Sequence, residues 1–413
     1  MGGWRDRTTA APAARGAVRP LAEIAADPRL RDAWTRLTRA AADANPFYGP
    51  DFLVPLMRAR RVPCAIVTAE DGAGVTRLLA FLPLGRSPGV PGLLPARLDG
   101  LGHPMIVDTT PLLDGTDPRA AAAALLETLA AHAPGAVLRL RSCAAGPTAA
   151  ALEAAAGEAR LATARVGGFT RARVARDGIV DGIAGIRSAS AEPEAPALTA
   201  RKRKELRRVA NTLARAGTAT YETLDGEAVG AGVEAFLALE GSGWKGAAGT
   251  ALASAPATLA FAREALAPGS RAPRVVVDLL RVDGAPVAAS VHILAGDRGG
   301  TFKCAYDERH AKASPGQLLD AWTSERVRAG AHPAAALDSC AAPGHPVESL
   351  WTGRLAFADG LIALSPARSG ARLARAAGRL RRLDAALAAV KAWARRRLGR
   401  RETVLRKPES PDG

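Results

Sequence analysis

The stretch "RVVVDLLRVDGAPVAASVHILAGDRGGTFKCAYD", Arg274 to Asp307, constrains the fold more than any other part of the chain. Three apolar runs are separated by Asp283-Gly284 and by the turn-rich Asp297–Gly300, so the segment predicts three successive antiparallel strands. A meander like this needs helices or further strands on its faces to bury its apolar residues. It leads into "YDERHAKASPGQLLDAW", Tyr306 to Trp322, which passes from a strand end to a helix start. Ser314 suits an N-cap, Pro315 the first helical position and Gln317 the third, which together make a Ser-x-x-Gln capping box. The amides of Gly316, Gln317 and Leu318 then lie free at the positive end of the helix dipole, which favours an anion. Gly316 lets a phosphate approach the backbone, and Lys312 adds a point charge.

The rest of the chain alternates helices and strands. Leu30, Trp34 and Leu37 recur at helical spacing within a helical segment from Leu21 to Ala44. Strands are expected near Cys64–Ala69, Arg77–Leu84 and in "GAVLRLRS", with an Ala-rich helix over Pro118–His132. "SASAEPEAPALTA", Ser188–Ala200, is the clearest break in composition and reads as a linker. It runs into the basic helix "RKRKELRRVANTLARAG", which ends at Gly217. "PAAALDSCA" reads as a strand, "PVESLWTGRLAF" as a helix and Ala371 to Arg401 as one long basic helix. The expected organisation is a flexible leader (1–20), an N-terminal domain (21–180), the linker (188–200), a second domain (201–365) and a basic amphipathic tail (366–413).

Bulk properties narrow the function. The formal charge of +16 raises nucleic acid or an anionic membrane as a partner. Between Pro366 and Arg401, however, twelve Arg or Lys face a single acid, Asp384, so this tail holds eleven of the sixteen excess charges. The body is only mildly basic, which argues against a nucleic-acid groove across it. The tail sets Leu373, Leu380, Leu383, Leu387 and Val390 on one face among arginines, a pattern that suits an anionic membrane surface or a docked terminal helix. Four scattered cysteines without a CxxC pair argue against a zinc site or a disulfide framework and fit a reducing cytoplasm. No apolar run long enough to span a bilayer is present.

The motifs "NPFYGPDFL", "KRKELRRVANTLARAG", "LLRVDGAPVAASV", "YDERHAKASPGQLL" and "LDSCAAPGHPVESLW" occur in the order in which they stand in bacterial CelD-type acetyltransferases, named for cellulose biosynthesis. The sequence resembles that family over roughly residues 20–365. The family belongs to the GCN5-related N-acetyltransferase (GNAT) superfamily and is related to the Fem-type peptidyltransferases. The resemblance implies an α/β (α+β) fold of two GNAT-like domains, each a mixed, mostly antiparallel sheet flanked by helices. It implies acyl transfer from acetyl-coenzyme A or another acyl-coenzyme A, without a metal, to an amine or hydroxyl of a small molecule or glycan precursor. The catalytic domain would be the second. Two departures stand in the sequence: Gly316 is a single glycine where the superfamily's phosphate loop carries two, and Glu348-Ser349 replace a Tyr-Lys pair before Trp351.

Such a reaction needs a base for the nucleophile, a polarised carbonyl and a proton for the leaving thiolate. The resemblance implies the acid role for Tyr306 and coenzyme binding by Lys312, Ser314, Gly316, Gln317 and Leu318. In "LEGSGWKGAAGT", Glu240 ends an amphipathic helix and stands as the candidate base, while Trp244 and Lys245 sit in a Gly-rich loop suited to an acceptor-binding lid. Asp338, at the end of a short apolar strand, is a second candidate for base or substrate binding. His292, inside a strand, reads as a core histidine. Two other functions suit the same residues. One is a Fem-type transferase using aminoacyl-tRNA, and the other is a non-catalytic, membrane-associated adaptor.

Overall fold

The computed structural model describes residues 14–70, 74–176 and 198–405. The strands are β1 (Arg15–Pro20), β2 (Pro63–Glu70), β3 (Thr76–Ser87), β4 (Arg97–Gly100), β5 (Leu112–Leu113), β6 (Val137–Ala144) and β7 (Thr163–Ala175), followed by β8 (Ala219–Leu224), β9 (Arg274–Val282), β10 (Ala285–Ala295), β11 (Arg298–Tyr306), β12 (Ala336–Asp338) and β13 (Gly353–Ala363). The helices of the first half are α1 (Leu21–Ala26), α2 (Pro28–Ala40), α3 (Pro50–Met57), α4 (Pro118–His132) and α5 (Pro147–Glu158). Those of the second half are α6 (Ala200–Ala214), α7 (Val229–Ser242), α8 (Trp244–Ala247), α9 (Pro256–Ala265), α10 (Pro315–Arg328) and α11 (Gly370–Leu405).

One sheet runs through the molecule in the order β1-β2-β3-β4-β6-β13-β7-β12-β11-β10-β9-β8, with β5 on β3. Its pairings are antiparallel except β4 with β6 and β11 with β12. This is a mixed α/β fold with a mostly antiparallel sheet flanked by helices, as the sequence predicts. The meander forms as expected. Asp283 and Gly284 both have positive φ, the geometry of a tight two-residue hairpin turn. Along β9, Val275, Val277 and Leu279 pack toward α7, while Leu280 packs toward α6 and α10. The sheet is covered on both faces here, so Val275 to Leu280 of β9 reads as an apolar run broken only by Asp278.

The second turn differs from the prediction. Its residues are Gly296 and Asp297, and Gly299 and Gly300 belong to β11. Both serve close approach instead: a Cβ on Gly300 would stand 2.4 Å from the Cys340 sulfur. "PVESLWTGRLAF" is not a helix. Pro346–Ser349 is a single 3-10 turn, Trp351 is buried and donates its Nε1–H to the Asp320 carbonyl (3.0 Å), and Gly353 starts β13. Pairing with β6 and β7 on both sides outweighs the local helical pattern. Arg15–Pro20, read as part of a leader, is a strand paired with β2. Residues 1–13 of that leader and 188–197 of the linker lie outside the described residues.

The segment 353–363 thus returns to the first half, so both halves share one sheet. α11 docks on this region through Leu373, Ala377 and Leu380, which pack against Val137, Val166, Leu361 and Ala363. Beneath it Arg139, with no exposed side-chain surface, pairs with Asp359 of β13 (2.6 Å) and with Asp384 of α11. Burial disfavours the guanidinium charge, but the two carboxylates outweigh that and hold its pKa above the ordinary value. No helix among the described residues is long and apolar enough to cross a membrane.

Candidate active site

The site begins where two strands part. β11 and β12 pair in parallel only from Arg298–Gly300 to Ala336–Asp338. β12 ends there while β11 continues to Tyr306, so a wedge opens beside Thr301–Tyr306. On the other edge of β11 the register slips: Val291 faces Lys303 but His292 faces Thr301, leaving Phe302 as a bulge. A bulge leaves one residue outside the ladder and re-aims the backbone next to it. It also sets the side chains beyond it, so that Lys303 points to one face and Cys304 and Tyr306 lie on an alternating pattern with Tyr306 on the opposite face.

Tyr306 is 40 % exposed at the end of β11, and its ring stands 3.8 Å from where a Cβ of Gly316 would lie. The chain between them is the 3-10 turn Glu308–Ala313, which carries the exposed Lys312. The structure therefore brings Tyr306, Gly316 and Lys312 to one end of α10. The cap differs from the predicted box. Ser314 is left-handed (φ 48°) and its side chain makes no capping bond. A capping residue normally has extended backbone, which aims its oxygen at the free amides. Gln317 instead accepts from Lys202 Nζ (2.7 Å), at the start of α6. Leu318 is not free either: its amide donates to the Ser314 carbonyl (3.2 Å) and its side chain is buried. The amides of Gly316 and Gln317 precede this first helical bond and keep the character of an anion site. Beside them runs a groove of about 460 Å³, lined by Thr199, Arg201, Lys202, Glu348, Ser349 and Thr352.

The other face of β11 carries the second group. Glu240 has no exposed side-chain surface. Its Oε1 contacts Lys245 Nζ (3.3 Å) and Lys303 Nζ (3.4 Å), and Oε2 accepts from the Leu252 amide (2.8 Å). Lys245 also donates to the Cys304 carbonyl (3.2 Å), and the Trp244 amide donates to Glu308 (2.6 Å). Glu240 therefore ties the α7–α8 corner to β11, while the Trp244 ring stands 61 % exposed beside it. Asp338 lies apart from both groups. It is buried at the point of the wedge, where Oδ2 pairs with Arg171 (2.9 Å) and Oδ1 accepts from the Cys340 amide (3.0 Å). Arg171 is in turn held over the Phe169 and Phe357 rings.

Three features escaped the sequence reading. Lys202 and Lys303 come from segments that read as a basic helix and a plain strand, and nothing local marks them. Asp320, one turn into α10, is the third. Burial first, and then the neighbouring Asp278 charge, push its carboxyl up to about 7. It lies within electrostatic reach of Cys304 in the wedge. A carboxyl raised in the folded state keeps a proton that the unfolded chain releases, so its contribution to stability falls as pH rises from about 4 to 7. Asp320→Asn is therefore expected to flatten the pH dependence of thermal stability over that window. Melting curves of both proteins from pH 4 to 8 with the same shape would contradict this.

Behind the wedge, Asp278, His292 and His332 bring three ligand-type atoms within 4.8 Å of one another. The tautomers decide what this cluster does. His332 Nδ1 accepts from the Ala334 amide (3.0 Å), so the ring proton sits on Nε2 and faces Asp278 at 3.4 Å. A metal-bound histidine needs the opposite arrangement, with the far nitrogen donating. Asp278 is therefore the acceptor of a buried hydrogen-bond network: Thr223 donates to Oδ1 (2.7 Å), and Thr323 (2.6 Å) and His292 Nε2 (3.2 Å) share Oδ2. His292 is the satisfied core histidine that its strand position predicts.

Residues 200–338, which carry every element of the wedge from α6 to β12, match the family model of the acetyltransferase (GNAT) domain. A GNAT-type acetyltransferase domain therefore lies in this chain. Among solved structures the chain is similar to FemX, at 11 % identity and TM-score 0.49 over 83 % of this chain and 97 % of that one. It is also similar to the C-terminal domain of a candidate lysylphosphatidylglycerol synthetase from Agrobacterium fabrum, at 13 % identity and TM-score 0.48 over 86 % and 96 %. A tandem GNAT protein from the clavulanic acid biosynthesis pathway matches at 17 % identity and TM-score 0.36 over 86 % and 100 %. No curated protein matches the sequence significantly.

Proposed function

We propose that the protein is an acyl-coenzyme A-dependent acyltransferase, of the CelD type that its motifs resemble, with its chemistry in the half formed by residues 201–365. The observation that carries this reading is the wedge between β11 and β12 opening directly onto the start of α10. The fit to a phosphate-bearing donor rests on three features there: the two free amides, the side-chain-free surface of Gly316, and the exposed cation Lys312, with Lys202 held nearby by Gln317 and Glu205. Acyl-coenzyme A supplies the acyl group as a thioester. Within the wedge, the β11 backbone beyond Gly300, which has no β12 partner, supplies amides that donate to the carbonyl oxygen as negative charge develops on it. Tyr306 is placed to give its phenolic proton to the departing sulfur and to recover one from solvent.

The acceptor, an amine or hydroxyl of a small molecule or glycan precursor, enters past the exposed Trp244 ring. In this reading Glu240 fixes Lys245 and Lys303 at that opening, and Asp338 fixes Arg171. The proton that the nucleophile loses goes to water.

Calorimetry with acetyl-coenzyme A tests the donor. Wild type is expected to bind it, and Gly316→Leu to bind at least about tenfold more weakly with an unchanged melting temperature. The fold tolerates that change because only the Tyr306 ring lies near the new Cβ. Absence of binding by wild type would sink the proposal. Retention of tRNA at physiological salt in its place would make aminoacyl-tRNA the donor.

A further inference from the structure

We propose that the distal half of α11, together with the loop Val90–Leu93, is a docking surface for an anionic lipid bilayer. The apolar stripe of α11 has two fates. Its first turns are buried: Leu373, Ala376, Ala377 and Leu380 are each at most 5 % exposed against the sheet. The same stripe then continues without such cover. Leu383, Leu387 and Val390 are 45 %, 58 % and 61 % exposed, and Trp393 follows at 52 %. Two more exposed apolar residues stand next to it, because Arg379 donates to the Leu93 carbonyl (2.7 Å) and so ties the Val90–Leu93 loop to the turn before Leu383. Among the described residues, these six account for most of the large apolar side chains left in solvent.

Charge selects the occupant. From Lys391 to Arg401 the sequence holds six basic residues and no acid. The one acid of the described helix before them, Asp384, is already taken by Arg139 and Arg141. A narrow apolar stripe with a Trp and flanking arginines, on a helix too polar to span, is the composition of an element that lies in the headgroup region. A second copy of the helix fits less well, since pairing would set two such cationic stretches side by side. The surface is separate from the wedge, so its role does not depend on the donor proposed above.

Co-sedimentation with vesicles tests it, using phosphatidylcholine alone and with about 30 mol % phosphatidylglycerol. The full-length protein is expected to bind the anionic vesicles at least about tenfold better at low salt, and to be released as salt rises. Leu387→Glu with Val390→Glu is expected to abolish that binding at an unchanged melting temperature, because both positions are exposed. Equal binding to neutral vesicles, no binding to either, or full binding by the double variant would overturn the proposal. So would a salt-stable dimer in light scattering that the same double variant dissolves, which would assign the stripe to a second copy.

Discussion

Asp278→Ala is expected to lose about 3–5 kcal/mol of folding stability at neutral pH, read as a fall in the urea midpoint at constant slope. Asp278 is completely buried, and the hydroxyls of Thr223 and Thr323 and the ring N–H of His292 all end on it. Truncation leaves those donors in an apolar interior with no acceptor, where each unsatisfied group costs about 1–3 kcal/mol. Burial by itself would raise this carboxyl's pKa, but His292 and His332 outweigh it and hold the group well below the usual carboxylate range. A depressed carboxyl stabilises above the unfolded pKa and loses that contribution as pH falls. The gap between wild type and variant is therefore expected to narrow below about pH 4. A loss under about 1 kcal/mol at pH 7 would mean that the network is slack.

Arg139→Ala is expected to cost about 3 kcal/mol and to loosen α11, seen as faster proteolytic cleavage within that helix. The guanidinium is the shared partner of Asp359 and Asp384, and it joins α11 to β13 and β6. Both acids retain some contact with water, so the penalty is smaller than for a sealed carboxylate. Replacing all three, with Arg139→Met, Asp359→Leu and Asp384→Leu, is expected to restore most of the stability, as it does when a buried ion network gives way to apolar packing. If the triple variant is no better than Arg139→Ala, the loss comes from the cavity and not from stranded charge.

The elements that the sequence made legible are those specified locally. Asp283-Gly284 supplied a turn whose two central residues both have positive φ, and the strands on either side of it followed. Ser314-Pro315 marked the start of α10 correctly but not its chemistry. The preceding 3-10 turn forces Ser314 into a left-handed conformation, and a partner 115 residues away takes the Gln317 side chain. Pro346–Phe357 failed for the same kind of reason, since the pairing of β13 on two sides is invisible in its own residues. Tyr306 and Gly316 could be placed together because ten residues separate them. The lysines around Glu240 and the donors around Asp278 come from distant segments, and no local pattern could have joined them.

The placement of β13 has a consequence for the order in which the chain can mature. Its partners β6 and β7 are made some two hundred residues earlier, since Phe357 faces Ala144 on one side and Phe169 on the other. During synthesis those two strands wait with an open slot between them until residues 353–363 have left the ribosome. Non-local pairing of this kind is slow, and unpaired strand edges invite association with other chains. A polypeptide ending just before Gly353 would retain every element of the wedge and still lack the strand that closes the first half. Such fragments are expected to aggregate rather than to form a smaller folded protein, which light scattering of a 1–352 fragment checks. Closure of the first half's sheet therefore depends on a strand that lies beyond every element of the wedge.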